Sequence, residues 1–471
     1  MPLAVYAFSL DGAIGFWDTG EAQTVPWIFG IMHPTGFPVF TIAGGLFAHA
    51  FAFGAVSWRM ALFSAVAMSG AAWLVSRIAF EIEPEPWTAC AAAWLFAFGE
   101  IAWGRGTRTE VHAAVAFFAA LTLYAAVRWI RRGEPAVLIA GGLVWGLGMS
   151  THPLVALLGP GLLCAFLSRV RSVERRTAAI AAGAVLAGLA VYAYLPIRSA
   201  MVTHMHLDPT AQLGLPPGQS FWDNGHPASL AGFRQVISGA DFGPGGTFMH
   251  LFEAATYSGG GMKYALAAIK EFTPVGLALA IVGGVLLTAA ERWIGAALLL
   301  ALAVPTDFTF AYTIEADPER YYLISFLILS VFAAYGVHRA TERVPWGRLL
   351  GAAALFALAG ALLWTNRDKF DQRNDTGAQS LISTILRRTP DNAILLSPWL
   401  DATPLAYAAY VEHRLGRRIL HSTWLSDDAQ YVPKWAKTRP VYVVDKLWGS
   451  VPGYHTVALN TSPTLYRIVK N

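Results

Sequence analysis

Long apolar runs alternate with short polar ones along the chain, and run length decides what each can form. Stretches such as PWTACAAAWLFAFGEIAWG (86–104), TAAIAAGAVLAGLAVYAYLP (177–196) and FTPVGLALAIVGGVLLTAA (272–290) reach the roughly 20 residues that a helix needs to cross about 30 Å of hydrocarbon. The pattern predicts spans near 58–77, 86–103, 111–128, 136–151, 153–168, 177–197, 272–290, 293–312, 321–338 and 347–365. A first helix near the N-terminus brings the expected total to about eleven. Only MPLAVYAFSL precedes Asp11, about half of a span, so the expectation is a natural start further upstream. The segment has neither the basic stretch nor the cleavage site of a signal peptide.

The run 37–57, FPVFTIAGGLFAHAFAFGAVS, sets the parity of everything after it. It is apolar enough to cross but is interrupted by Gly and Pro and ends without a charged anchor. If it stays on one side as a juxtamembrane or re-entrant helix, three basic clusters face the cytoplasm, as the positive-inside rule prefers. These are Arg128, Arg131 and Arg132; Arg169, Arg171, Arg175 and Arg176; and Arg339, Arg343 and Arg348. The opposite parity puts all three outside. The expected arrangement therefore exposes 11–57, 104–110, 198–270, 313–320 and the C-terminal segment on the outer face. From residue 366 the composition becomes that of a soluble domain, with strands AILL (393–396) and PVYVVD (440–445) and a helical stretch from Pro404 to Leu415. A small α/β domain at 366–471 is thus expected to follow a membrane domain at 1–365, without internal repeats. The predicted fold class is an all-α polytopic membrane protein carrying a small C-terminal α/β domain.

Composition agrees: 55% of residues are apolar, 13% aromatic and only 14% charged. The net charge of +4 and a pI near 9.0 belong to clusters between spans, so membrane lipid and not nucleic acid is the implied partner. Cys90 and Cys164 fall in different predicted helices, which argues against a disulfide or a thiolate metal site. The chain has no HExxH spacing, P-loop, GxGxxG before a soluble helix or GxSxG elbow, so no metal or cofactor is expected.

The expected outer loops carry the candidate chemistry. Asp18, Glu21 and His33 lie in FWDTGEAQTVPWIFGIMHPTGFPVF, and no Lys or Arg occurs between residues 11 and 57. Interfacial carboxylates without a nearby cation are costly and usually functional, and burial would move their pKa toward that of a general base. The alternative is that Asp18 N-caps a helix with Glu21 as its capping-box partner. Loop 104–110 supplies Arg105, Arg108 and Glu110, with His112 on the next helix. These guanidinium forks suit either a lipid phosphate or an ion pair with Glu110. Arg320, Tyr321 and Tyr322 follow Glu315, Asp317 and Glu319, where phosphate binding competes with interfacial anchoring. His152 at a helix break and Asp307 near a span end are satisfied structural groups or cavity linings.

WDTGE (17–21) followed by GIMHPTGFPVF (30–40) resembles the D-x-G-E and G-x-x-H-P-P-G-Y-P-L-Y signature of a membrane family related to protein O-mannosyltransferases, within the GT-C superfamily. Thr35 stands for Pro and Phe37 for Tyr. WGRGTRTEVHA (103–113), YLPIRSA (194–200) and ERYYLIS (319–325) resemble further segments of that family, with His112 in place of Tyr. The resemblance implies a GT-C fold with a juxtamembrane helix after the acidic loop. It also implies inverting transfer of a single sugar, often mannose, from a polyprenyl-phosphate donor to a protein or glycan acceptor. Asp18 is then the expected base, Glu21 its helper, and His33 a sugar or loop contact; Arg105, Arg108, Arg198 and Arg320 are candidates to stabilise the leaving phosphate. Glu110, His112 and Tyr321 complete the expected substrate-binding set. The implied location is a bacterial inner membrane, with the active site and C-terminal domain on the periplasmic side. A lipid or glycan acceptor is the alternative within this donor class. A transporter or flippase is the alternative outside it, but no internal symmetry marks the sequence and the acidic group lies at the interface rather than at midplane.

Overall fold

A computed structural model describes residues 1–240, 257–311, 317–371, 375–423, 428–445 and 451–471. The chain divides into two units, one of residues 1–10, 64–192 and 242–371 and one of residues 11–63, 193–241 and 372–471.

Among the described residues, seven helices are long and apolar enough to cross a membrane: Val56–Ile82, Val111–Arg132, Arg175–His204, Gly260–Ala290, Arg292–Phe310, Pro318–Thr341 and Gly347–Asn366. All seven fall on predicted spans, and the protein is an integral membrane protein. Helix Val111–Arg132 ends as its composition dictates. Arg131 and Arg132 occupy the last turn, where the helix dipole favours cations, and Gly133 at φ 66° closes it in the left-handed conformation. Pro318–Thr341 is the most enclosed of the seven, and its Ser330 hydroxyl turns back onto the Phe326 carbonyl.

Three predicted segments take other forms. The run 86–103 is two helices, Pro86–Ala97 and Glu100–Gly106. The break at Phe98 and Gly99 is held by the buried Glu271 carboxylate, which accepts the N–H of Ile101 at 2.6 Å and of Ala102 at 3.3 Å. A side chain at Gly99 would run into that carboxylate. The runs 136–151 and 153–168 form the shorter helices Pro135–Thr151 and Pro153–Leu167, separated at His152 and Pro153.

The second unit contains the acidic loop. Helix Trp17–Ile28 is followed by Pro38–Ala50, which has 13 residues. At 1.5 Å per residue it is about 20 Å long, too short to span, in keeping with the expectation that 37–57 does not cross. In the C-terminal segment strands β1 (Ile394–Ser397), β2 (Ile419–Ser422), β3 (Val441–Val444), β4 (Tyr454–Thr461) and β5 (Thr464–Lys470) form one sheet in the order β2-β1-β3-β5-β4. β1, β2 and β3 are parallel, and β4 and β5 are an antiparallel hairpin. Leu213, from the middle stretch of the unit, packs among Ile394, Ile419, Val441 and Trp435, and the Trp435 indole donates to its carbonyl at 2.8 Å. The helix expected at Pro404–Leu415 runs from Trp399 to Tyr410, with Pro404 inside it. The Thr403 hydroxyl donates to the Leu400 carbonyl at 3.4 Å, the acceptor that the missing proline N–H leaves available.

Candidate functional site

The candidate residues lie in two groups, one in each unit. In the second unit helix Trp17–Ile28 begins after Phe16, which makes no side-chain cap, and Asp18 occupies the first turn, where the dipole favours a carboxylate. This excludes the capping-box alternative, because Glu21 has a partner other than the helix start. Fully buried, Glu21 accepts the His33 backbone N–H at 2.7 Å and pairs with His33 Nδ1 through its other oxygen. Burial raises the Glu21 pKa, and the charge of His33 offsets part of the rise. Glu21 thus fastens the loop 30–37 to the helix.

The helix ends at Phe29, left-handed at φ 50°. Arg198 Nε donates to the Phe29 carbonyl at 2.6 Å and Nη2 to that of Ile28 at 3.0 Å, while the Tyr194 hydroxyl reaches Phe29 at 2.6 Å and Gly30 at 2.9 Å. The structure therefore gives Arg198 the orphan carbonyls of a helix end as partners.

Asp18 is partly exposed, and its Oδ1 accepts the indole N–H of Trp399 at 3.1 Å. Trp399 stacks on Phe221, with centroids 5.5 Å apart and planes within 4°, and meets His33 edge-on at 6.0 Å. Gly20 permits this arrangement: a Cβ there would lie 2.8 Å from Thr403 Oγ1 and 2.5 Å from the Gly15 carbonyl oxygen. Sequence reasoning missed Trp399, Phe221 and Tyr194. Nothing local marks the first two, whereas Tyr194 opens the YLPIRSA segment.

In the membrane unit Glu110 N-caps helix Val111–Arg132 and accepts from His112 Nδ1 at 2.9 Å and Arg105 Nη1 at 3.2 Å. Arg105 also pairs with Asp317, as does Arg108 at 3.2 Å. Burial alone would raise the Glu110 pKa, but the His112 hydrogen bond and the charges of Arg105 and Arg320 outweigh it and hold the carboxyl well below its usual range. Arg320 lies over the Tyr321 ring at 5.4 Å, and Tyr321 meets His112 edge-on at 4.9 Å. His152 stands 5.2 Å from His112 and accepts the Leu154 N–H through Nδ1 at 3.0 Å, capping the next helix.

The internal ion pair with Glu110 is real, yet it leaves polar atoms over. Arg108 Nε, Thr109 Oγ1 and His112 Nε2 are buried without a hydrogen-bond partner among the described residues. Buried polar groups are normally satisfied, so the two donors of this set, Arg108 Nε–H and the Thr109 hydroxyl, beside a surplus of guanidinium charge are suited to an anion. Glu319 pairs with Lys270 at 3.7 Å, and Asp307 is buried. Glu315 lies outside the described residues. Among the described residues no three His, Cys, Asp or Glu side chains group as a metal site.

Two solved structures of ArnT from Cupriavidus metallidurans superpose over 99% of this chain and 96% of theirs. One, bound to undecaprenyl phosphate, has TM-score 0.56 and 11% identity; the other, in the apo state, has 0.57 and 13%. The chain shares this fold, which is of the GT-C type.

Its sequence relatives narrow the class. Residues 18–176 match the family described as the protein O-mannosyl-transferase TMEM260 N-terminal domain. The mouse protein O-mannosyl-transferase TMEM260 is 24% identical over 96% of this chain, which spans 65% of the mouse protein's length. The Dictyostelium discoideum protein of the same name is 25% identical over 27% of this chain and 16% of its own length. The family resemblance noted above is borne out by this chain-long similarity.

Proposed function

We propose that the protein is an inverting glycosyltransferase. It moves one sugar, mannose by its likeness to the TMEM260 proteins, from a polyprenyl-phosphate donor to a protein Ser or Thr hydroxyl on the non-cytoplasmic face. One observation carries the reading: two carboxylates one helical turn apart have been given different tasks. Glu21 is buried and bound to His33, while Asp18 stays partly open to solvent with its orientation set by the Trp399 indole. Two acids separated by environment in this way are suited to one reactive and one structural role.

In this mechanism the acceptor hydroxyl oxygen attacks the anomeric carbon while Asp18 takes its proton. The bond to the phosphate oxygen breaks, and polyprenyl phosphate departs with the electron pair. Single displacement with inversion uses one base and no carboxylate nucleophile. The phosphate needs positive charge more than a proton, for which Arg105, Arg108 and Arg320 are the candidates, with the Thr109 hydroxyl as a neutral donor. Glu21 and Arg198 act as positioning residues, holding the two ends of the loop that carries His33. No metal or cofactor enters this scheme. The placement outside the cytoplasm rests on the three arginine clusters and the short helix Pro38–Ala50.

The test is transfer from polyprenyl-phosphate mannose to a Ser/Thr peptide, read by mass spectrometry, with Asp18→Asn beside the parent. A positioned general base contributes on the order of 10² to 10⁴ in rate, so Asp18→Asn should lose that much while its melting profile is kept. Unchanged transfer by the variant removes Asp18 as base.

A further inference from the structure

Helices Val111–Arg132, Pro135–Thr151, Gly159–Leu167 and Arg175–Leu189 enclose an apolar groove of about 380 Å³. Its walls include Ala125, Trp129, Gly141, Leu162, Ala178 and Ala181. The small residues create the space: a Cβ on Gly141 would already lie 3.1 Å from that of Ala125. The lining comes from the ends of the four helices nearest the loops 132–135 and 168–175, the basic side of the membrane unit.

Two features distinguish this groove from a passive gap. Trp129 is 3% exposed, and its Nε1–H has no acceptor among the described residues, although a buried indole normally finds one. It lies three residues from the last residue of its helix, about 4.5 Å along the axis, close to the basic loops. Arg171, Arg175 and Arg176 are exposed at the same end, and no ion pair is recorded for any of them among the described residues. Arg175 shares one helical face with the groove residues Ala178, Ala182 and Val185, at spacings of three, seven and ten residues. The acids at this rim are Glu174 and Glu134, and Glu134 is paired with Arg128 and Arg132.

We propose that this groove binds one anionic glycerophospholipid of the leaflet bordering the basic loops. An acyl chain fills the apolar walls, an ester carbonyl accepts the Trp129 N–H, and the headgroup phosphate meets Arg175 and Arg176. A polyprenyl phosphate has no ester carbonyl to offer Trp129. The arginines assigned to the donor lie at the other end of helix Val111–Arg132, and Val111 and Trp129 are about 27 Å apart along its axis. The lipid site is therefore separate from the sugar-transfer site and stands whether or not that reading holds.

Native mass spectrometry of the full-length protein in detergent tests the proposal, with phosphatidylglycerol, phosphatidylcholine of the same acyl chains and undecaprenyl phosphate as probes. Phosphatidylglycerol should bind at one equivalent and more tightly than phosphatidylcholine. Arg175→Glu combined with Arg176→Glu should weaken phosphatidylglycerol by at least about thirtyfold, since each basic residue at a membrane surface contributes roughly fivefold, and should leave phosphatidylcholine unchanged. Gly141→Leu, which fills the groove, should weaken both glycerolipids. Both arginines are exposed, so the charge-reversed variant tests the site even if Gly141→Leu does not fold. Equal binding of the two glycerolipids, binding of phosphatidylglycerol that ignores the charge reversal, or its displacement by one equivalent of undecaprenyl phosphate would each overturn the proposal.

Discussion

Replacing Asp11 by Asn should stabilise the protein near neutral pH and leave its stability unchanged in acid. Asp11 begins the acidic loop, is 7% exposed, and receives the Ala13 N–H on Oδ1 at 3.0 Å. Burial and the nearby Asp375 carboxylate push its pKa from 3.8 to about 6, against the Ala13 hydrogen bond. Because the folded value lies above the unfolded one, the contribution to stability is intact below about pH 3.8 and is lost as pH rises through about 6. A difference of about 2 units corresponds to roughly 3 kcal/mol at most once the group is fully ionised. Asparagine keeps an oxygen for Ala13 and removes the charge, so Asp11→Asn should recover up to that amount at pH 7.5 and almost nothing at pH 3. Asp401 is also raised to about 6, by burial and Asp445, so the parent loses additional stability over the same interval. The measurement is denaturant unfolding in detergent, followed by tryptophan fluorescence at both pH values. A variant no more stable than the parent at pH 7.5, or a gap of equal size at both pH values, refutes the reasoning.

Trp399→Phe should keep the stacking on Phe221 but lose the indole bond to Asp18. A hydrogen bond to a charged group is worth about 1.5 to 3 kcal/mol, so kcat for sugar transfer should fall roughly 10- to 100-fold with the fold intact; parental kcat in a well-folded variant contradicts the positioning role. Glu271→Ala leaves the N–H groups of Ile101 and Ala102 buried without an acceptor, at a cost of about 2 to 5 kcal/mol, and Glu271→Gln should cost less because one oxygen remains. Thermal denaturation in detergent distinguishes them, and equal melting of Glu271→Ala and parent would show that the helix break is held by other contacts.

Hydropathy made the long spans legible because a bilayer imposes a length that a sequence must meet with apolar residues. It failed at 86–103 for a physical reason: the residue that stabilises the break, Glu271, is about 170 positions away, and no local pattern reports it. The capping-box alternative failed in the same way. The local spacing of Asp18 and Glu21 fits a helix start, but His33 offers Glu21 both its backbone N–H and its ring Nδ1. The acidic loop and the Arg105–Glu110 pairing were legible because charges in apolar surroundings stand out. Trp399 and Phe221 did not, since aromatic residues are frequent throughout this chain. In the C-terminal segment the two strands that read clearly, near 393–396 and 440–445, are buried β1 and β3. β4, whose residues are mostly exposed, lacks the apolar run that would have announced it.

The partners of the acidic loop are spread unevenly in time as well as in sequence. His33 is 12 residues from Glu21, Arg198 is 170 residues from Ile28, and Trp399 is 381 residues from Asp18. At synthesis rates of roughly 5 to 20 residues per second, Asp18 would emerge about 20 to 80 seconds before the tryptophan that orients it. During that interval the membrane helices can insert one after another, while the carboxylate is tethered by its helix but not yet aimed. The loop that carries the proposed chemistry is thus made well before the residues that complete it, so competence for transfer would arrive only as the segment around Trp399 folds back onto it.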